Sequence, residues 1–116
     1  MKRGDVVITS IIQADGKIKN RPTIILCEMP PYNDFLVCGI STQLHQYVSG
    51  FDELIAPTDS DFASSKLLAK SVIRLGFLTV IPDKDIIGVI GNIASERHKR
   101  LLDRLGNYLI VKSIEK

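Results

Sequence analysis

The stretch KIKNRPTIIL, residues 17–26, passes from a basic turn into an unbroken apolar run. Residues 21–29 predict a β-strand with Pro22 at its first positions, because proline is tolerated at the start of a strand but not in the middle of a central one. Arg21 would then lie where a loop ends and the buried sheet begins. A guanidinium held there could bind a phosphate through two parallel hydrogen bonds. A solvated arginine at the sheet edge is the alternative that these residues alone leave open.

The chain on both sides of this stretch also predicts short β-strands. Residues 6–12 form a β-branched run, and residues 14–17 predict a turn. Gly39 interrupts a later apolar run, which predicts a bulge or a close approach by another backbone or a ligand. The remaining predicted strands cover residues 35–40, 51–56, 71–81 and 86–90. Strands do not alternate with helices along the chain, so we expect a small, strongly bent β-barrel and not a parallel sheet.

The C-terminal region predicts one amphipathic helix. Ser95 is the expected N-cap, with Glu96 in the first turn. One face at helical spacing carries Leu101, Leu102 and Leu105. Gly106 predicts a C-cap, and residues 108–111 could either continue the helix or form a last short strand. Residues 58–65 carry little apolar volume and predict an exposed connection with at most one helical turn.

Length and composition predict a single domain over residues 1–116. The net charge is only +2, so a case for nucleic-acid binding depends on local clusters of basic residues. The N-terminus lacks the apolar region of a signal peptide, and no run is long enough to span a bilayer, so we expect a cytoplasmic protein without membrane contact. Cys27 and Cys38 are expected to be buried free thiols, a disulfide being the alternative.

Several common catalytic motifs are absent from the sequence. It contains no Gly-rich phosphate loop, no zinc-ligand spacing, no HExxH and no GxSxG. His45 and His98 lie in segments where a solvated or half-buried role is the ordinary expectation. No cofactor and no metal are therefore predicted.

Arg21 and a polar segment form the remaining candidate site. Lys17 and Lys19 precede Arg21, and residues 41–43, Ser-Thr-Gln, end the third predicted strand. If the second and third strands pair in antiparallel fashion, the start of one lies opposite the end of the other. Arg21 and residues 41–43 would then meet at one end of the sheet.

Five segments of the chain together resemble the MazF/PemK toxins of bacterial toxin–antitoxin systems. They are GDVV, NRPTIIL, GISTQ, LLAKSVIRLGFLTVI and IIGVIGNIA, and they follow one another in order through nearly the whole chain. The resemblance implies the SH3-like barrel of the CcdB, Kid and MazF proteins, with a C-terminal helix. It implies a cytoplasmic homodimer that cleaves single-stranded RNA, including mRNA, at short sequences without a metal and so inhibits translation and growth. The implied partners are single-stranded RNA, a cognate antitoxin and, only through the antitoxin complex, operator DNA.

The resemblance also assigns roles to individual residues. The family's arginine in its RP motif corresponds to Arg21, and its catalytic threonine falls on Ser41. Serine keeps the hydroxyl but lacks the methyl group that restricts χ1. Thr42 could serve instead if the register shifted by one, but strand alternation would turn it to the opposite face, which favours Ser41.

The implied RNA-binding residues are Lys17, Lys19, Thr42, Gln43 and Arg74. Plasmid-type members use the arginine at the position of Arg74 near the scissile phosphate. Those members also carry an acid two positions later, where this chain has Gly76, and a histidine in the first loop that has no equivalent here. The sequence therefore favours a simpler arrangement of arginine and hydroxyl.

Two other functions are compatible with the same fold. A CcdB-like gyrase poison would act by binding and would not need the pair Arg21 and Ser41, and a degenerate family member could survive as a nucleic-acid or antitoxin-binding module. Basic residues on the C-terminal helix are expected to form a solvated face and not an RNA track; they are Arg97, Lys99, Arg100 and Arg104. Four aromatic residues could stack on bases but are expected to pack in the core or at its rim; they are Tyr32, Phe35, Tyr47 and Phe51.

Overall fold

The computed structural model describes residues 1–12 and 14–114, with side chains described up to residue 111. Its described strands form one antiparallel sheet in the order β4-β5-β3-β2-β1-β6. The strands are β1 Asp5–Ile12, β2 Ile18–Met29, β3 Asp34–Ser41, β4 Glu53–Ile55, β5 Ser71–Ile81 and β6 Ile86–Asn92. The helices are α1 Phe62–Ser65 and α2 Ser95–Ile114, and short 3₁₀ turns cover Leu44–Gln46 and Asp83–Asp85. The predicted mainly-β fold with a C-terminal helix is confirmed.

Both faces of the sheet carry an apolar core because successive side chains on a strand point to opposite faces. On β1, Val6 belongs to the main core and Val7 to a smaller core on the other face. The main core packs α2 against the sheet through Leu101 and Leu105, which confirms the predicted apolar face of the helix. The core side chains are supplied by β1 to β5, by α2 and by Ile93 just after β6, so the fold is organised around one bent sheet.

Strand β2 begins earlier than the sequence predicts. It starts at Ile18, so Arg21 and Pro22 lie inside the strand and not at its start. Pro22 pairs with Ile8 of β1, whereas pairing with β3 begins one residue later, at Thr23. At Pro22 the side of β2 that faces β3 is therefore unpaired. An unpaired strand side tolerates a residue that lacks a backbone N–H.

The predicted disturbance at Gly39 is confirmed as a β-bulge between β3 and β5. Cys38 pairs with Leu78 but Gly39 pairs with Arg74, so residues 75–77 are inserted into β5. A Cβ atom on Gly39 would lie 3.0 Å from the Phe77 ring. A side chain at position 39 would therefore require the Phe77 ring to move by a few tenths of an ångström. The bounds of β5 itself match the prediction.

The connection before β5 is less exposed than the sequence predicts. Asp61 and Ser65 are buried, and β4 is three residues long where the sequence predicts a strand over residues 51–56. Helix α1 packs on β6 at Gly91, where a Cβ atom would overlap the backbone of residues 64 and 65. Ser64 strengthens this contact by donating its hydroxyl to the Asn92 carbonyl, at 3.0 Å. Polar residues are buried here because α1 covers the sheet edge at β6.

Helix α2 differs from the prediction at both ends. Its first helical hydrogen bond joins the His98 N–H to the Ala94 carbonyl, so Ala94 and not Ser95 is the N-cap residue. The helix passes through Gly106, which is therefore not a C-cap, and residues 108–111 continue it. Tyr108 contacts Phe51, with ring centroids 4.8 Å apart, so tertiary packing supports the helix beyond the glycine.

The basic side of α2 is solvated only in part: the Lys99 and Arg100 side chains are well exposed, but Arg97 is buried. Arg97 is 6% exposed and forms ion pairs with Glu53, Asp59 and Asp61. Arg100 also pairs with Glu53. The prediction is wrong for Arg97 because Glu53 at the start of β4, and Asp59 and Asp61 after it, supply carboxylates that face the helix.

Neither described helix is long and apolar enough to cross a membrane. Cys27 and Cys38 are free thiols, as predicted, with Cys38 buried and Cys27 half-buried. Burial raises the pKa of Cys38 to about 12, so this thiol stays protonated at neutral pH.

Candidate functional site

A groove of about 750 Å³ lies at the end of the sheet where β3 finishes. Five of the seven predicted site residues line it, namely Arg21, Ser41, Thr42, Gln43 and Arg74. They come from β2, β3, the segment after β3, and β5. The antiparallel arrangement thus gathers residues that are up to 53 positions apart in the sequence.

The strand registers explain why Arg21, Ser41 and Arg74 meet. Thr23 pairs with Gly39, and the same register continued by two residues sets Arg21 opposite Ser41. On the other side of β3, Arg74 pairs with Gly39. Residues that are directly opposite, or two apart on one strand, share a face of the sheet. The two arginines therefore flank the end of β3 on the face that carries Ser41.

The Ser41 hydroxyl has a defined hydrogen bond within the chain. Its Oγ accepts the backbone N–H of Gln43 at 3.0 Å, which forms a local turn at the end of β3. A hydroxyl that accepts one hydrogen bond still has its own O–H to donate. Ser41 is half-buried in the groove, so this O–H can reach a bound anion.

Arg74 is supported by the bulge in β5. Its guanidinium carbon lies 5.9 Å from the centroid of the Phe77 ring, a cation–π distance. Phe77 also lines the groove and is 36% exposed. The bulge thus brings a cation and an aromatic ring together beside Gly39.

Lys17 and Lys19 do not line the groove. The Lys17 N–H donates to Asp15 in the β1–β2 turn, at 2.9 Å. Lys19 pairs with Ile11, which does line the groove, so Lys19 extends the basic surface just outside it. Of the two, only Lys19 is close to the other predicted site residues along the strand.

The groove also contains residues that the sequence did not single out. Lys66 and Gln46 supply polar groups, and the apolar lining includes Ile8, Leu68, Phe77 and Ile90. Leu68 is fully exposed in the described chain. The apolar residues could not be identified beforehand because they resemble ordinary core residues in the sequence. For Lys66 no sequence signal exists, since it follows the predicted exposed connection over residues 58–65 and belongs to no predicted strand or helix.

The charge of the groove is of one sign. Its described lining holds three cations, Arg21, Lys66 and Arg74, and no carboxylate, imidazole or thiol. No group of three or more His, Cys, Asp or Glu in the described residues is arranged to hold a metal ion. A cationic groove with a hydroxyl donor and apolar walls suits an anion that carries flat apolar groups.

The two histidines lie outside this groove. His98 Nε2 lies 2.8 Å from the Leu26 carbonyl, which can only accept, so Nε2 donates and the ring ties α2 to β2. His45 lies exposed in the 3₁₀ turn Leu44–Gln46. Neither is part of the groove lining.

Comparison with known protein families gives a match that covers nearly the whole chain. The family model described as PemK-like, MazF-like toxin of type II toxin–antitoxin system matches residues 2–109. A comparison with curated proteins finds no match. The match includes every strand, the groove and most of α2, and so the chain belongs to the family of PemK-like, MazF-like toxins of type II toxin–antitoxin systems.

Proposed function

We propose that this toxin is a metal-independent endoribonuclease that cleaves single-stranded RNA at short sequences in the groove at the end of β3. The observation that carries the proposal is that Arg21 and Ser41, which bears the hydroxyl, line the same groove, whose described lining is cationic. Guanidinium and hydroxyl groups are the donors that recognise phosphate, and single-stranded RNA presents phosphates together with exposed bases.

The proposed reaction is an internal transesterification. The 2′-oxygen of one nucleotide attacks the adjacent phosphorus, and the bond from phosphorus to the 5′-oxygen of the next nucleotide breaks. The proton leaves the 2′-oxygen, and the departing 5′-oxygen takes up a proton. The products are a 2′,3′-cyclic phosphate and a 5′-hydroxyl end.

The groove residues would act mainly by stabilising charge. Arg21 would neutralise the charge that develops on the phosphorane, and the Ser41 O–H would donate to a non-bridging oxygen. Such pre-positioned donors commonly supply the largest part of a rate enhancement. Arg74 would hold the phosphate from the other side of β3, and Thr42 and Gln43 would contact the neighbouring nucleotides, with Lys19 and Lys17 outside the groove.

The family gives the protein an antitoxin partner. We further propose that the toxin acts as a cytoplasmic homodimer that cleaves mRNA, inhibits growth, and reaches operator DNA only through the antitoxin complex. Growth arrest then follows from the loss of translatable mRNA.

The test compares Arg21→Ala with Arg3→Ala on long single-stranded RNA in EDTA, with the product ends mapped. Arg3 is an exposed arginine that pairs with Glu28 and lies outside the groove lining, so it controls for loss of one positive charge. We expect Arg21→Ala to lower the cleavage rate by about 10²- to 10³-fold and Arg3→Ala to retain it. Cleavage at the wild-type rate by Arg21→Ala, or products that lack a cyclic phosphate, would refute the proposal.

A further inference from the structure

Lys66 lies in the groove with a backbone conformation that is unusual for lysine. Its φ of 61° and ψ of 17° place it in the left-handed region directly after α1. That position normally carries glycine or asparagine, since a Cβ atom is unfavourable there. Strained residues of this kind persist where the surrounding structure fixes them, and they often occur at functional sites.

The structure holds Lys66 firmly from both sides. Before it, the Ser65 hydroxyl donates to the Phe62 carbonyl at 2.6 Å, and after it the Leu67 N–H donates to the same hydroxyl at 3.2 Å. Ser65 is completely buried, and α1 rests on Gly91 without space for a side chain at that glycine. Lys66 therefore projects from a rigid segment.

The charge of Lys66 has no carboxylate partner among the described residues. Each basic residue Arg97, Lys99, Arg100 and Arg104 of α2 forms a salt bridge within 4 Å. No salt bridge among the described residues involves Lys66. The groove lining around Lys66 likewise contains no described carboxylate. An exposed lysine on a strained, rigid segment, without a described carboxylate partner, thus lines a groove that already contains two arginines.

We propose that Lys66 binds a second phosphate of the same RNA strand, next to the phosphate held by Arg21 and Ser41. This inference rests on the proposed ribonuclease function and names a further phosphate-binding residue of that site. The groove would then bind two successive phosphates of the RNA, and this would align the RNA strand for in-line attack by the 2′-oxygen. Lys66 is a binding residue and takes no part in proton transfer.

The experiment separates binding from cleavage by using a short mixed-sequence 2′-O-methyl RNA, which lacks the attacking hydroxyl. Binding is measured from about 50 to 200 mM salt, because each phosphate contact with a single strand contributes about 0.7 to the slope of log affinity against log salt. The variants are Lys66→Asn, which removes the charge but tolerates the left-handed region, and Lys66→Arg, which keeps the charge. Lys84→Asn is the control, since Lys84 is exposed in the 3₁₀ turn Asp83–Asp85 and does not line the groove.

We expect Lys66→Asn to lower the slope by about 0.7 and to weaken binding about tenfold at low salt. Its thermal unfolding midpoint should equal or exceed that of the wild type, because asparagine relieves the backbone strain. Lys66→Arg and Lys84→Asn should keep the wild-type slope.

Several results would overturn this inference while the ribonuclease proposal stands. They are an unchanged slope in Lys66→Asn, an equal loss in Lys84→Asn, or a folded Lys66→Arg that loses the contact, each with a wild type that binds and cleaves RNA. A wild type that neither binds nor cleaves single-stranded RNA would instead refute the proposed function itself.

Discussion

At the scale of single residues, the question is which hydroxyl at the end of β3 would donate a hydrogen bond to a bound phosphate. The Gln43 N–H donates to Ser41 Oγ, and this backbone hydrogen bond restricts the orientation of the serine hydroxyl. Thr42 also lines the groove but has no such constraint from a described hydrogen bond, and it is more exposed. Ser41 is therefore the better positioned donor of the two.

Substitution of the two hydroxyls distinguishes their roles. Ser41→Ala should lower the RNA cleavage rate about 10- to 100-fold, since a hydrogen bond to a charged group contributes ~1.5–3 kcal/mol. Thr42→Ala should cost much less, and Ser41→Thr should retain activity because it keeps the hydroxyl. Single-turnover rates on one RNA would measure this. A larger loss in Thr42→Ala than in Ser41→Ala would mean that Thr42 is the catalytic hydroxyl.

Some groove residues can be predicted from the sequence because they lie on regular strands, and others cannot because irregular backbone places them in the groove. Arg21 and Ser41 lie near the facing ends of consecutive antiparallel strands, so their proximity follows from the order of the strands, whereas Arg74 pairs with Gly39 only because of the bulge in β5. Lys66 and Phe77 enter the groove through a left-handed residue and a β-bulge, respectively. Neither feature has a hydrophobic pattern, so periodicity does not reveal them.

At the scale of elements, the contact between α1 and β6 covers one edge of the sheet and also positions Lys66. Gly91 permits this contact because a Cβ atom would overlap Ser64 O and lie 2.7 Å from Ser65 O. Backbone atoms cannot move aside as a flexible side chain can. The requirement for glycine at position 91 is therefore steric and does not involve positive φ.

Gly91→Ala and Gly88→Ala form a matched pair on β6. Gly91→Ala should destabilise the protein by about 1–3 kcal/mol, because the new methyl group forces α1 away from the strand. A Cβ atom on Gly88 would have no neighbour within 4 Å, so Gly88→Ala should change stability by less than about 0.5 kcal/mol. Urea denaturation measures both. Equal stability of the two variants would show that α1 can shift without cost.

Element boundaries deviate from the sequence prediction where tertiary contacts override local preference. Glycine in a helix costs only ~1 kcal/mol relative to alanine, so packing of Tyr108 on Phe51 is enough to carry α2 through Gly106. Pro22 predicts a strand start, but at Pro22 β2 pairs with β1 alone. The β1–β2 hairpin therefore continues for four residues before Pro22, to Ile18. The strand and helix types were predictable because they depend on apolar periodicity, whereas these boundaries depend on partners distant in sequence.

At the scale of the whole molecule, a buried ionic cluster joins α2 to the loops around β4 and α1. Arg97 donates from Nε to Asp61 and from Nη1 to Glu53, both at 2.8 Å. Asp61 also accepts the Ala94 N–H at the start of α2, at 3.0 Å. Burial by itself would raise the pKa of Asp61, but the hydrogen bonds from Arg97 and Ala94 outweigh it, and the pKa lies below the usual 3.8. Ionised Asp61 therefore contributes to holding the helix, beside the ion pairs of Arg97 with Glu53 and Asp59.

This lowered pKa predicts how stability depends on pH. Folded Asp61 holds its proton less tightly than unfolded Asp61, so the unfolded state binds more protons as the pH falls. The stabilisation from ionised Asp61 is therefore lost gradually as the pH falls below about 5. Asp61→Asn should cost about 3–5 kcal/mol at pH 7 because it leaves Arg97 partly unpaired in a buried site. It should also lose less stability than the wild type between about pH 5 and 3, since the titrating group is gone.

The control is Asp103→Asn, which removes an exposed partner of Lys99 and should follow the wild-type curve. Denaturant unfolding across this pH range measures all three proteins, and parallel curves for wild type and Asp61→Asn would contradict the assignment of the acid sensitivity to Asp61.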